Sequence, residues 1–394
     1  MTLPKFPSSP VPDVLIVGAG PAGSIAALVL ARAGVRVRLV DRAKFPRDKL
    51  CGDTLNPGTL SILDRLGVAG PVRERARPIT GMQITGPGGV HVSADYPGGI
   101  RGGSLTRREL DLILLEAATA AGAAFDSGLI VRAPLITTDT QRVIGVRVAA
   151  SGDDHDLRAR VVIAADGRHS RIAFGMGLAQ YAPSPKRWAF GAYFIDVDGV
   201  TSHGEMHIRN DCYIGIAPLP GNVTNVCVVR ELKNIFRAQR VNADSVVYQA
   251  VRSDPMLAER FARARQVSEV NSLGPLAVDC AAVGYPGLLL AGDAAGFVDP
   301  MTGDGLRFAM RGGELAAEAA LRELSTGVAE CTALQAQRAR EFGGKWRINR
   351  GLRALVASPR AVDVVSRVAR GWKAPVRLLV RVAGDVNLAR HASS

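Results

Sequence analysis

Residues 14–23 read VLIVGAGPAG, a short apolar run followed at once by glycines at 18, 20 and 23. Four consecutive β-branched or aliphatic residues suit a strand buried on both faces of a parallel sheet. The G-x-G-x-x-G spacing after them has a physical division of labour. Gly18 permits the tight turn, Gly20 lets backbone approach a pyrophosphate, and Gly23 lets the following helix pack closely on the strand. Ile25, Leu28, Val29 and Leu30 recur as one helical stretch, so its N-terminus would present free N–H groups to phosphate. A second strand, Val35 to Val40, runs into Asp41, eighteen residues past Gly23. An acid at about that distance accepts from ribose hydroxyls and repels a 2′-phosphate. The expected dinucleotide site therefore draws on Gly18, Gly20, Ala22, Gly23, Asp41 and Arg42.

Two later stretches extend the site. RVVIAADGRHSR at 160–171 is a buried strand ending in Asp166-Gly167, and LLLAGDAAGFVDPMTGDGL at 288–306 is another ending at Asp293. All three in this order specify FAD. Asp293 precedes Ala294-Ala295-Gly296, where a carboxylate can accept from sugar-type hydroxyls while helix N–H groups hold phosphate. It could equally cap that helix. Asp166 could instead form an Asp-Gly turn. Gly303 and Gly305 allow backbone to approach a planar ring, and their amides could stabilise negative charge there.

The predicted fold class is α/β: a Rossmann-like FAD-binding domain, a second antiparallel-sheet substrate domain and a C-terminal helical segment. The chain has 394 residues, too many for one ordinary core. We place the discontinuous FAD domain at 1–180 and 271–330, with a small glycine-rich β excursion near 79–105. Alternating apolar runs such as AFGAYFIDV place the sheet at 181–270. Arg107 to Gly122 is expected as an amphipathic helix, with strands near 129–136 and 143–150. No apolar run reaches the ~18 residues of a membrane span. The N-terminal MTLPKFPSSPVPD lacks a secretory h-region and reads as a loose arm.

The five cysteines, 51, 212, 227, 280 and 331, show no C-x-x-C pair and no metal-ligand spacing, so no metal is expected. An odd count without a signal segment suits reduced thiols in the cytoplasm. Cys212 and Cys227 could face each other across a hairpin or simply pack as free thiols.

The formal net charge is +13, and residues 331–394 carry thirteen Lys and Arg against Glu341, Asp363 and Asp385. Apolar residues recur there at helical spacings, predicting two or three basic amphipathic helices. They could dock peripherally on an anionic membrane, contact an acidic carrier protein, meet an anionic substrate head group, or pack on the body with a solvated arginine face. No nucleic-acid partner is expected, because no binding motif accompanies the charge.

Taken together, these segments resemble the geranylgeranyl reductase family, within the wider group of p-hydroxybenzoate-hydroxylase-like FAD enzymes. The resemblance covers the chain to about residue 330. Arg47-Asp48-Lys49-Leu50-Cys51-Gly52 looks like the family's R-x-K-x-C-G segment beside the flavin ring. Arg107, Leu110 and Asp111 look like its R-x-x-L/F-D helix start, whose arginine approaches the cofactor. Pro300-Met301-Thr302-Gly303-Asp304-Gly305-Leu306 is similar to its P-x-T-G-E-G-I loop at the flavin's pyrimidine edge. Arg47, Cys51, Gly52, Arg107, Asp166, Asp293, Pro300, Gly303, Asp304 and Gly305 thereby join the cofactor set. The family's Y-x-W-x-F-P appears as Tyr213-Ile214-Gly215-Ile216-Ala217-Pro218, which nominates Tyr213, Gly215 and Pro218 for the substrate pocket. Losing two aromatics removes a stacking wall and opens space.

With no second glycine fingerprint, NAD(P)H would act as a transient electron donor over the flavin. The resemblance implies reduction of a carbon–carbon double bond in a hydrophobic small molecule. The alternative is monooxygenation of an aromatic or polyketide-type ring. Halogenation, suggested by Phe297-Val298-Asp299-Pro300, and a purely electron-carrying flavoprotein rank below both. Cys51 is the candidate catalytic residue, as proton donor or gate, and as a reactive thiolate only with help from Arg47 and Lys49. It could also be a small packed residue. Asp53, next to the same segment, and Asp304 are open in the same way, as proton-transfer groups or as solvated or capping loop carboxylates.

Overall fold

A computed structural model of the chain describes residues 11–150, 153–184, 186–232, 243–372 and 374–385. Residues 1–10 of the N-terminal arm, and Lys373 and Arg390 of the basic tail, lie outside them. The expected first strand forms at Val14–Val17 and is wholly buried. It pairs in parallel with Val37–Asp41 on one side and Val161–Ala164 on the other. The full sheet runs Gly284–Tyr285, Leu288–Leu290, Val161–Ala164, Val14–Val17, Val37–Asp41, Ala124–Ser127. Only its first edge strand is antiparallel. All three motifs thus sit at the C-terminal ends of adjacent parallel strands, where open α/β sheets bind ligands. Burying each large aliphatic side chain of these strands contributes ~1.5–3 kcal/mol, which fixes the frame that presents the loops.

Helix Pro21–Arg32 leaves the glycine turn with proline in its first turn, where the missing N–H costs nothing. Two glycines are obligatory. Gly18 has φ +99°, and a Cβ there would lie 2.4 Å from the Ala165 carbonyl oxygen. A Cβ on Gly23 would lie 1.8 Å from the Gly18 oxygen.

The second sheet has eight strands, built around Arg187–Ile195, Val223–Glu231, Cys212–Pro218 and His203–Ile208. The excursion forms a hairpin, Gly81–Gly86 with Val90–Asp95, and this hairpin joins the second sheet. It does so through a parallel pairing with His203–Ile208, an exception in an otherwise antiparallel sheet. Strand Asn271–Leu273 also pairs into this sheet, against Arg187–Ile195. Cys212 faces Arg230 and Cys227 faces Gly215, so the two thiols are out of register and both are free.

Arg107–Ala120 is helical, with Leu110, Ile113 and Leu114 buried. The tail forms three helices, Cys331–Val356, Pro359–Gly371 and Ala374–Ala383. The first buries Leu334 and Phe342 in the core of the FAD domain. Among the described residues, no helix is long and apolar enough to cross a membrane.

Candidate FAD and substrate site

The glycine turn is held by its own acid. Asp41 Oδ2 accepts from the Ala19 N–H at 2.8 Å, and Oδ1 accepts from the Ala43 N–H at 2.8 Å. Arg42 stands exposed beside it. Across the turn, Asp111 is buried and carries two arginines. Arg107 engages it bidentately at 2.7 and 2.8 Å, and Arg47 approaches to 3.0 Å. The spacing of Arg107 and Asp111 is one helical turn, which is what lets the carboxylate fix the guanidinium. Both arginines reach Gly20: a Cβ there would sit 3.5 Å from the Arg47 guanidinium and 3.9 Å from that of Arg107.

Two further cations close the cradle. The Lys49 ammonium faces Gly167 and is pushed below the ordinary lysine range, first by burial and then by Arg107, with Asp293 opposing. Arg168 is buried, with Nε and Nη1 unpartnered. Asp166 Oδ2 accepts from the Arg171 N–H at 3.0 Å, while its Oδ1 is buried and unpartnered, and burial raises its carboxyl. The Thr302 hydroxyl is also unpartnered. Four cations around a glycine turn, with orphaned donors and acceptors beside them, fit the pyrophosphate and polyhydroxyl chain of FAD.

Gly20, Ala22, Arg107 and Asp293 line a cleft that continues past Cys51, Gly52, Pro300, Gly303 and Gly305. The cleft holds about 1370 Å³ of atom-free space, its open mouth included. Gly303 adopts the left-handed conformation, φ +69°, and turns the chain into helix Gly305–Thr326. Under the second sheet the walls become apolar: Met82, Met206, Ile216, Val229, Leu273, Leu276, Phe297 and Met301. Gly215 lines this part with room to spare, its nearest would-be Cβ contact being 3.8 Å away. Tyr213 also lines it, and its hydroxyl donates to Asp299, which Arg187 engages at 3.1 Å. Pro218 is buried behind the lining, where its carbonyl accepts from Ser104.

The structure adds partners and surroundings at two further expected residues. The Asp304 carboxylate is taken up by Lys345 Nζ at 2.5 Å and Asn56 Nδ2 at 3.1 Å, so it anchors the tail. Cys51 lines the cleft as a neutral thiol, because burial pushes it up more strongly than Arg107 pulls it down. Burial thus opposes the help that Arg47 and Lys49 would give a thiolate and favours the proton-donor, gate or packing readings.

Comparison with known proteins follows this geometry. Residues 12–337 match the FAD binding domain family. The chain belongs to the FAD binding domain family. It is 30% identical over 392 residues to the menaquinone reductase of Mycobacterium tuberculosis strain H37Rv, covering 95% of this chain and 91% of the relative. It is 29% identical over 349 residues to the digeranylgeranylglycerophospholipid reductase of Methanoculleus marisnigri, covering 86% and 82%. Among solved structures, the myxobacterial FAD-dependent chondrochloren halogenase CndH superposes with TM-score 0.80 at 21% identity, over 98% and 97%. At that identity the likeness shows the fold. The chain is an FAD-dependent oxidoreductase, and the resemblance to geranylgeranyl reductases holds.

This oxidoreductase also carries a buried acid directly after Cys51-Gly52, whose role the sequence leaves open between proton transfer and capping. Asp53, 0% exposed, accepts from Asn225 Nδ2 at 2.5 Å and the Tyr193 hydroxyl at 2.8 Å. Its backbone is left-handed, φ +55°, and its Oδ1 is unpartnered. Burial pushes it up to about 7, against those hydrogen bonds and Arg107. Asn225 also donates to the Cys51 carbonyl at 2.8 Å, tying the acid to the cleft wall. The partners of Asp53 lie far along the chain.

Proposed function

We propose that this enzyme reduces a carbon–carbon double bond of a hydrophobic, isoprenoid or lipid-like molecule, with NAD(P)H or another donor reducing the flavin. The observation that carries the reading is the continuity of the cleft. Its polar end fits FAD and its far end, under the second sheet, is walled by methionines and aliphatic side chains. Reductase is the activity in both relatives' names, and one name specifies a digeranylgeranyl lipid.

Bound FAD would supply the reducing equivalents. The chain's own contribution is to hold the flavin, exclude water and deliver a proton to the second alkene carbon. Lys49, Arg47, Arg107 and Arg168 would neutralise the pyrophosphate, and the backbone amides around Gly303 would stabilise charge on the ring. The apolar wall keeps water from an alkene and binds its chain at ~0.8 kcal/mol per buried methylene. Cys51 meets the cleft with its proton in place, and Asp53 behind it retains one to about pH 7.

Filling the cleft tests this reading. Gly215→Trp restores an aromatic where the family has one, and the first atom of its side chain meets nothing closer than 3.8 Å. We expect normal FAD content and a loss of reduction of long-chain substrates of tenfold or more. Unchanged long-chain reduction would place the substrate elsewhere.

A further inference from the structure

Among the described residues, helix Pro359–Gly371 has an apolar face that no other element covers. Val362, Ser366 and Ala369 turn inward, and Ala369 packs on Val90 and Val92 of the excursion hairpin. Val364, Val365 and Val368 form a second apolar stripe, rotated well away from the buried one at 100° per residue, and Trp372 adds to the apolar surface at the extended C-cap. These four are 52, 43, 53 and 62% exposed. Arg360, Arg367 and Arg370 stand exposed along one flank, beside Asp363. The next helix continues the pattern, with Leu378 59% exposed between exposed Arg377 and Arg381. Apolar residues at this exposure, rimmed by arginine, mark a surface that meets something apolar and anionic.

We propose that the Pro359–Ala383 helix pair docks this enzyme in the plane of an anionic lipid bilayer. Charge complementarity selects that occupant: the rim carries five arginines against one acid, and the leaflet supplies phosphate or glycerol-phosphate head groups. Trp372 and the valines would enter the head-group boundary while the arginines stay at the phosphate level. The placement suits the cleft. Helix Cys331–Val356 ends on Leu355 and Val356, which pack with Tyr213, Leu276, Phe297 and Met301 of the cleft wall. The docking helix follows directly, so the bilayer would lie next to the apolar end of the site.

The test is vesicle binding of the FAD-loaded full chain, without turnover, so it does not depend on the substrate reading. One vesicle set is phosphatidylcholine alone and the other contains phosphatidylglycerol. We expect binding to the second set, weakened by salt, with Trp372 emission shifted to the blue and quenched by brominated acyl chains. Val365→Ser with Val368→Ser and Trp372→Ser should lower binding at least tenfold at unchanged melting temperature. Replacing Arg360, Arg367 and Arg370 with Gln should lower it ~100-fold. Equal binding to both vesicle sets, no binding to either, or undiminished binding by the serine variant would overturn the proposal. So would a lipid-free dimer that the serine variant abolishes, because the stripe would then belong to a second copy of the chain.

Discussion

Lys345 Nζ lies 2.5 Å from Asp304 Oδ1, joining the first tail helix to the loop that faces the flavin's expected edge. The same ammonium engages Asp385, and Arg307 meets Asp385 at 2.7 Å. Asn56 adds bonds to Asp304 and to the Ala383 carbonyl, 3.1 and 2.8 Å. The segment that follows helix Ala374–Ala383 is thereby latched to the cofactor loop.

Breaking that latch should loosen the loop and the tail together. Lys345→Met leaves Asp304 and Asp385 without their shared cation in a largely buried setting. We expect a loss of about 3–5 kcal/mol in stability and lower FAD retention after gel filtration. Thermal unfolding and bound-flavin absorbance check both.

Lys49 has no structural task that would survive its removal, since its ammonium faces the cradle. Lys49→Met should leave the melting temperature of the FAD-free protein unchanged or slightly raised, because a desolvated cation is gone. FAD affinity should fall about tenfold or more, as for loss of a charge-assisted contact to phosphate. Fluorescence titration of FAD into the apoprotein reads this directly.

Asp53 gives a pH signature. Its ordinary value is 3.8 and burial raises it to about 7 in the fold. The folded state therefore keeps a proton that the unfolded chain releases between those values. Stability from this group is complete below about pH 3.8 and is lost as pH rises through about 7. Relative to Asp53→Asn, the wild type should lose stability across that window. Turnover that draws on this proton should decline above pH ~7, and the Asn variant should lack that limb.

Arg187 and Tyr213 share Asp299, which is 7% exposed at the start of the cofactor loop. Tyr213→Phe removes one hydrogen bond and should cost about 1–2 kcal/mol. Arg187→Met strands a buried carboxylate and should cost about 3–5 kcal/mol. Denaturant unfolding of the two variants should show that order.

The parts of the site that sequence exposes are those whose physics is local. Glycines at 18, 20 and 23 act within one turn, and Arg107 and Asp111 meet because a helix puts them one turn apart. Asp41 and Asp293 follow strands that announce themselves by composition. The Asp53 cluster is different: Asn225 and Tyr193 are 172 and 140 residues away, on strands whose register only the folded sheet sets. Register also separated Cys212 from Cys227 and gave Gly81–Gly86 a parallel partner. Asp304 read as a loop acid beside the flavin, because nothing local reveals Lys345 folding back on it. Tail helicity was legible from periodicity, whereas which apolar stripe packs and which stays exposed depends on the hairpin beneath.

Product mass, with oxygen excluded in one arm and admitted in the other, tests double-bond reduction most directly. Photoreduced, FAD-loaded protein is mixed with a geranylgeranyl lipid, and separately with a phenol in the presence of oxygen. A double-bond reductase gives flavin reoxidation by the lipid without oxygen and a product heavier by two hydrogens. Reoxidation only with oxygen, and a phenol product heavier by one oxygen atom, would contradict the reductase reading.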